Sequence, residues 1–193
     1  MNKRAIIISL AGYKLSKSEI RLFKRYLPWG VILFRRNIKD FNQLKKLISS
    51  IKKITKDNRY PILIDEEGGE VSRLQNIIDN KMFSQRFFGK IFEVDSKVGI
   101  TLYKYYINQI SNILKTLGIN INTSPVLDRL YGFTNDFLKK RIYSSNINTI
   151  RTLSNICISS FKKNKISTVV KHIPGHGLAK SDSHKRLPII NKS

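Results

Sequence analysis

The stretch YPILIDEEGGEVSR, Tyr60–Arg73, decides how the chain is read. Its first half is a short, unbroken apolar run, and its second half packs Asp65, Glu66, Glu67 and Glu70 around two glycines. An apolar run without alternation fits a strand covered on both faces, as in a parallel sheet flanked by helices. Polar residues directly after such a strand lie at its C-terminal end, where the active sites of α/β folds gather.

The same boundary recurs to either side of this stretch. Toward the N-terminus, Ala5–Leu10 (AIIISL) reads as a first, buried strand and Gly30–Phe34 (GVILF) as a second, followed by Arg35, Arg36 and Asn37. Toward the C-terminus, Ile119–Leu127 is a fourth strand or strand-like segment ending at Asp128, and Ser167–Val170 is a fifth, ending at Lys171 and His172. One such polar residue is ordinary; its repetition at successive strand ends raises the odds of a shared site.

Helical patterns fill the gaps. Ser16-x-x-Glu19 is a capping box, opening a helix with Ile20, Phe23 and Leu27 on one face that stops near Pro28. Asp40 caps a helix in which Leu44, Leu47, Ile48 and Ile51 recur at helical spacing. Tyr103–Leu117 and Asn148–Lys163 are two more helices, and the stretch between Arg73 and Tyr103 is less regular. This alternation implies an α/β fold with parallel strands. No G-x-G-x-x-G follows the first strand and no Walker A sequence occurs, so a nucleotide site has little support. A doubly wound sheet and part of a (β/α)₈ barrel both fit. A closed barrel takes about 250 residues and eight strands, so the barrel reading predicts a partial (β/α)₈ TIM barrel with about five of its eight strands.

Composition sets outer bounds. With 193 residues, 41% hydrophobic and 25% charged, the chain has enough apolar material for one folded domain. The single Cys157 cannot form an internal disulfide and reads as a buried small hydrophobe. No run reaches the roughly 20 apolar residues that cross a bilayer. The basic start and short apolar run at residues 1–12 lack a small-x-small cleavage site, which leaves the cytoplasm as the expected location. The formal net charge of +23 raises nucleic acid as a partner, but the lysines are dispersed and no zinc-finger, glycine-bracketed or basic-arm motif accompanies them. Lysines scattered over exposed helix faces are the simpler account.

Two segments carry the chemistry. In Asp65–Arg73 four carboxylates repel one another unless cations or substrate hydroxyls engage them, and a divalent metal or a solvated acidic turn is each consistent with the spacing. The second segment, KHIPGHGLAKSDSH, holds all three histidines of the protein within residues 171–184. Pro174, Gly175 and Gly177 make a helical zinc pair improbable, although three histidines leave a zinc site open. Asp182-x-His184 is the pair best suited to proton transfer, because a carboxylate orients an imidazole that exchanges protons near neutral pH. A plain loop salt bridge accounts for that pair equally well when it is taken alone.

Taken together, GVILFRRNIKDFNQLKKLI, PILIDEEGGEVSRL, INTSPVLD and KHIPGHGLAKSDSHKRLP resemble, in order and spacing, the catalytic barrel of family 3 glycoside hydrolases. The resemblance covers residues 5–190 and is closest to bacterial β-N-acetylglucosaminidases (β-hexosaminidases) of cell-wall recycling. It implies that residues 1–193 are a truncated N-terminal TIM-barrel domain. It also implies a retaining hydrolysis of terminal β-linked N-acetylglucosamine from cell-wall fragments, without metal or organic cofactor. Asp65, Arg73, Arg141, Lys171 and His172 are then the sugar-binding residues, His184 the general acid/base and Asp182 its partner. Glu67, Gly68 and Gly69 match the turn beside the pocket, and Asp128 takes a structural role. The family's nucleophilic aspartate lies downstream in a segment like FSDDL that has no counterpart here, so little hydrolysis is expected of the isolated chain. A second polypeptide completing the ring, or a non-catalytic sugar-binding remnant, is the corresponding alternative. Glu66 and Glu70 stand where Gln and Arg are more usual, which predicts a more acidic pocket rim; Ile173 replaces Phe.

Overall fold

A computed structural model describes residues 3–181, 183 and 186–190. Five parallel strands form one sheet in sequence order: β1 (Arg4–Ser9), β2 (Pro28–Leu33), β3 (Ile62–Ile64), β4 (Ile121–Asn122) and β5 (Ser167–Thr168). Six helices connect them: α1 (Lys17–Tyr26), α2 (Phe41–Thr55), α3 (Gln85–Val94), α4 (Ser96–Leu117), α5 (Asp136–Lys139) and α6 (Ile147–Lys163).

The strand order separates the two candidate architectures. A doubly wound sheet reverses direction at a switch point and carries helices on both faces. Here each strand pairs with the next without reversal. The helices also touch in sequence, α1 on α2, α2 on α4 and α4 on α6. One layer of neighbouring helices over an unreversed parallel sheet is an arc of a (β/α)₈ barrel. Five strands of that ring are present, as the pattern predicts.

Local signals account for most element boundaries. Ser16 and Glu19 form the expected capping box, and Leu27 ends α1 in a left-handed conformation just before Pro28. Asp40 accepts from the Gln43 amide at the start of α2, whose Leu44, Leu47, Ile48 and Ile51 are all buried. These residues join Val31, Leu33, Ile62, Ile64, Ile110, Leu114 and Leu153 in the main core between sheet and helices. Cys157 is buried in this core, and burial pushes its thiol up to about 11, so it stays a neutral, unreactive group.

Three sequence expectations need correction. Ala5–Leu10 is not a buried strand: β1 is the sheet edge, paired only with β2, and Ile6 and Ile7 are 53% and 45% exposed. An apolar run reports the potential for burial, whereas actual burial needs a neighbour on the other side. The fourth strand does not run from Ile119 to Leu127. Its ladder stops at Asn122, Pro125 has no amide to continue it, and a single parallel bridge resumes between Val126 and Lys171. The stretch after Arg73 is also more ordered than expected. Ser84 caps α3, and Asp95 ends α3 while capping α4, which therefore begins seven residues before Tyr103.

Candidate active site

The C-terminal ends of β3, β4 and β5 bring together five of the residues singled out in the sequence. Asp65, directly after β3, accepts from Arg73 Nη2 at 3.1 Å and from Lys171 Nζ at 3.3 Å. The Thr123 hydroxyl donates to the same carboxylate in a short contact, and Lys171 also donates to Thr123 Oγ1 at 3.2 Å. Burial opposes ionisation of Asp65, but Lys171, Thr123 and Arg73 outweigh it and hold the carboxyl below the usual range.

A second carboxylate organises the floor. Glu67, its side chain 1% exposed, receives a bidentate pair from Arg141, with Nε–Oε2 at 2.8 Å and Nη2–Oε1 at 2.9 Å. Lys171 closes an ion pair with the same Glu67. The ammonium of Lys171 thus bridges Asp65, Thr123 and Glu67, which uses all three of its protons. Three of the four carboxylates of the acidic turn are therefore compensated by cations from within the chain. Asp65 and Glu67 take the three cations just named, and Glu70 pairs with Lys140 at the surface.

Glu66 is different in kind, and the expectation that it adds acidity to the rim is overturned. It is buried and points inward, accepting from the Arg73 and Leu74 amides at 2.9 and 3.1 Å and from Asn80 Nδ2 at 2.6 Å. Burial pushes its carboxyl up, and Asn80, Ser72 and the two amides offset only part of that. Glu66 shapes the loop that carries Arg73 and does not contribute charge to the opening. The turn itself needs glycine, because Gly68 sits at φ +83° and a Cβ there would collide with the Phe83 carbonyl oxygen.

His172 links a further pair of strand ends. Its Nδ1 lies 2.7 Å from Asp128 Oδ2, its backbone amide donates to the same oxygen at 3.1 Å, and Gly177 N donates to Oδ1 at 2.9 Å. On the other side of the ring, Nε2 lies 3.3 Å from Arg141 Nη2. A guanidinium only donates, so Nε2 accepts and the ring proton is assigned to Nδ1, facing Asp128. Burial opposes ionisation of Asp128, yet the hydrogen bond from His172 and the Gly177 amide keep its carboxyl below the usual range. The structural role implied for Asp128 is thus specific: it fixes the tautomer and angle of His172.

Asp182 and His184, the expected acid/base pair, lie outside the described residues. Arg35, Arg36 and Asn37 follow β2 but serve the scaffold. Arg35 donates to the Ser72 carbonyl, while Arg36 and Asn37 donate to the Leu10 carbonyl after β1. Sequence reasoning missed Thr123, although its place one residue beyond β4 matches that of Asp65 after β3. A cleft of about 220 Å³ borders this network on the side of Asp128, Lys171, His172 and Gly177. Among the described residues no group of three His, Cys, Asp or Glu side chains is placed to hold a metal ion, and no helix is long and apolar enough to cross a membrane.

Residues 5–193 match the family described as glycosyl hydrolase family 3 N terminal domain. The chain is 32% identical over 191 residues to a beta-hexosaminidase of Psychromonas ingrahamii, covering 98% of this chain and 55% of that protein. A beta-hexosaminidase of Methylobacillus flagellatus is likewise 32% identical, with 95% and 52% covered. Among solved structures, NagZ from Neisseria gonorrhoeae in complex with N-trifluoroacetyl-D-glucosamine superposes with a TM-score of 0.87 at 27% identity, covering 96% of this chain and 54% of that one. A family 3 β-N-acetylglucosaminidase from Paenibacillus sp. gives 0.80 at 28% identity, with 94% and 34% covered. The chain spans about half the length of the curated relatives it matches.

Proposed function

The chain belongs to glycosyl hydrolase family 3, and from that premise we propose that its strand-end site grips a terminal β-linked N-acetylglucosamine for retaining hydrolysis of cytoplasmic peptidoglycan fragments. The observation that carries this reading is the convergence of Asp65, Arg73, Thr123 and Lys171 from three successive strand ends. An ionised carboxylate accepts from sugar hydroxyls, and the neighbouring Arg73 guanidinium offers donors to their oxygens; together they suit a polyol. The similarity to a NagZ structure holding N-trifluoroacetyl-D-glucosamine supports the sugar class.

In this reading each residue has a distinct task. Asp65 accepts from two hydroxyls of the terminal sugar, and Arg73 and Lys171 fix its angle. Arg141 and His172, locked by Glu67 and Asp128, form the wall against which the ring rests. His184, oriented by Asp182, protonates the leaving oxygen and later draws a proton from water. The nucleophilic carboxylate of the retaining mechanism must stand about 5–5.5 Å from the acid across the anomeric carbon. Asp65 and Asp128 are poor substitutes, since one is held by Arg73 and Lys171 and the other is buried beneath His172. Turnover therefore needs a carboxylate from further strands of the ring, in the same or a second polypeptide. Those strands would also cover the edges where Ile6, Ile7, Val169 and Val170 are exposed.

The test is a pair of assays on the 193-residue chain. N-Acetylglucosamine should bind in the millimolar range or tighter, while a chromogenic N-acetyl-β-glucosaminide should be cleaved at no more than a trace rate. Cleavage at rates typical of an intact glycosidase would refute the need for a further carboxylate. Absence of sugar binding, with tight salt-sensitive binding to DNA instead, would replace the sugar reading with a nucleic-acid one.

A further inference from the structure

A groove of about 1130 Å³ lies away from the strand ends, on the outer face between α1 and α2. Its floor is apolar, with half-buried Leu15, Ile20 and Ile54 beside the buried Leu47. Its walls are basic. Along α2 and the residue before its cap, Lys39, Lys46 and Lys53 recur every seven residues, and all three are exposed. Leu47 and Ile54 repeat with the same period one position on, and Gln43 and Ser50 repeat between them. A seven-residue repeat places apolar and basic positions in parallel seams along one helix face, which is the arrangement a partner helix reads.

We propose that this groove docks an acidic amphipathic helix from a different polypeptide, with its apolar stripe on Leu15, Ile20 and Ile54 and its carboxylates facing Lys39, Lys46 and Lys53. The dimensions fit: α2, from Phe41 to Thr55, is roughly 22 Å long, and a partner helix of about 17 residues overlies its whole length. The charge also fits. The groove is lined by six lysines and one carboxylate, Asp40, and among the described residues none of Lys39, Lys46 and Lys53 forms an ion pair with a carboxylate, so the field over the groove is positive. A second copy of this chain is a poor occupant. No helix of the described residues carries more than one acidic side chain, and α2, α4 and α6 carry none. A bilayer is planar and does not follow a concave wall, and nucleic acid has no use for an apolar floor.

The experiment titrates the full 193-residue chain with a synthetic peptide of about 17 residues. Leucines and glutamates in the peptide follow the seven-residue pattern, and a scrambled peptide of equal composition is the control. Vesicles of anionic phospholipid and a single-stranded oligonucleotide are titrated in parallel. The patterned peptide should bind and the scrambled one should not. The triple variant K39E/K46E/K53E should weaken binding by about tenfold or more, and added salt should do the same to the native chain. S50W, which fills the groove without changing its charge, should also weaken it; both variants alter exposed positions, and circular dichroism confirms that they fold. The proposal is overturned if the scrambled peptide binds equally well or if either variant leaves the affinity unchanged. It also falls if only the vesicles or the oligonucleotide bind.

Discussion

The strand-end site and the α1–α2 groove are both rich in cations, but they use them in opposite ways. At the strand ends Arg73, Arg141 and Lys171 are largely buried, and each is matched to a carboxylate. In the groove Lys39, Lys46 and Lys53 stand in solvent without such partners among the described residues. Buried pairs give little net stability, because desolvation offsets their attraction, yet removing one member leaves a charge stranded. They fix geometry. Exposed lysines cost little and fix nothing, but they maintain a field. The formal net charge of +23 therefore comes from the second kind of cation and conceals an internally balanced site.

The largest break in that comparison should come from Arg141→Ala. It leaves Glu67 buried with only Lys171 beside it, and urea unfolding should show a loss of about 3 kcal/mol. Asp128→Asn should cost less, about 1–2 kcal/mol, because the amide oxygen still accepts from the His172 side while its NH2 loses the bond from Gly177. That variant should also alter the acid limb of stability. Asp65 and Asp128 both have lowered folded values, so their contribution is present above the unfolded carboxylate value and is lost as pH falls through the folded one. Stability of the native chain should thus fall away below about pH 4, and Asp128→Asn should make that fall shallower.

Glu66 tests the opposite sign. Its folded value is raised, so relative stability is present at low pH and is lost as pH rises through that value. Glu66→Gln should therefore stabilise the chain at neutral pH by about 1 kcal/mol. The amide keeps an acceptor for the Arg73 and Leu74 amides, and its own protons find Asn80 Oδ1, which is buried and unpartnered among the described residues. Destabilisation at pH 7 would show that the charge itself is required. The smallest effect belongs to the groove: each of K39E, K46E and K53E should change stability by less than about 0.5 kcal/mol, since surface charges away from partners seldom matter more.

Much of this arrangement was legible in the residues. The junction Ile64–Asp65 read correctly because an apolar run ending in a chemistry-bearing side chain marks a strand end, whereas the fifth strand stops at Thr168 and reaches Lys171 only through an isolated bridge to Val126. The caps at Ser16 and Asp40 read correctly because they are local. What stayed hidden was what depends on neighbours distant in sequence. Nothing in Glu67 announces a bidentate partner at Arg141, and nothing in Asp128 announces the ring of His172. Glu66 and Glu67 are adjacent and chemically alike, but one faces two backbone amides and the other two cations. Burial of β1 misled for the same reason, because AIIISL records apolarity and not which strand lies beyond it.

The most direct measurement follows amide shifts by NMR while N-acetylglucosamine is added to the native chain, to Asp65→Asn and to K46E. Shifts confined to the ends of β3, β4 and β5, abolished by Asp65→Asn and untouched by K46E, are the expected result. Equal binding by the Asp65 variant, or shifts centred on α1 and α2, would contradict the account.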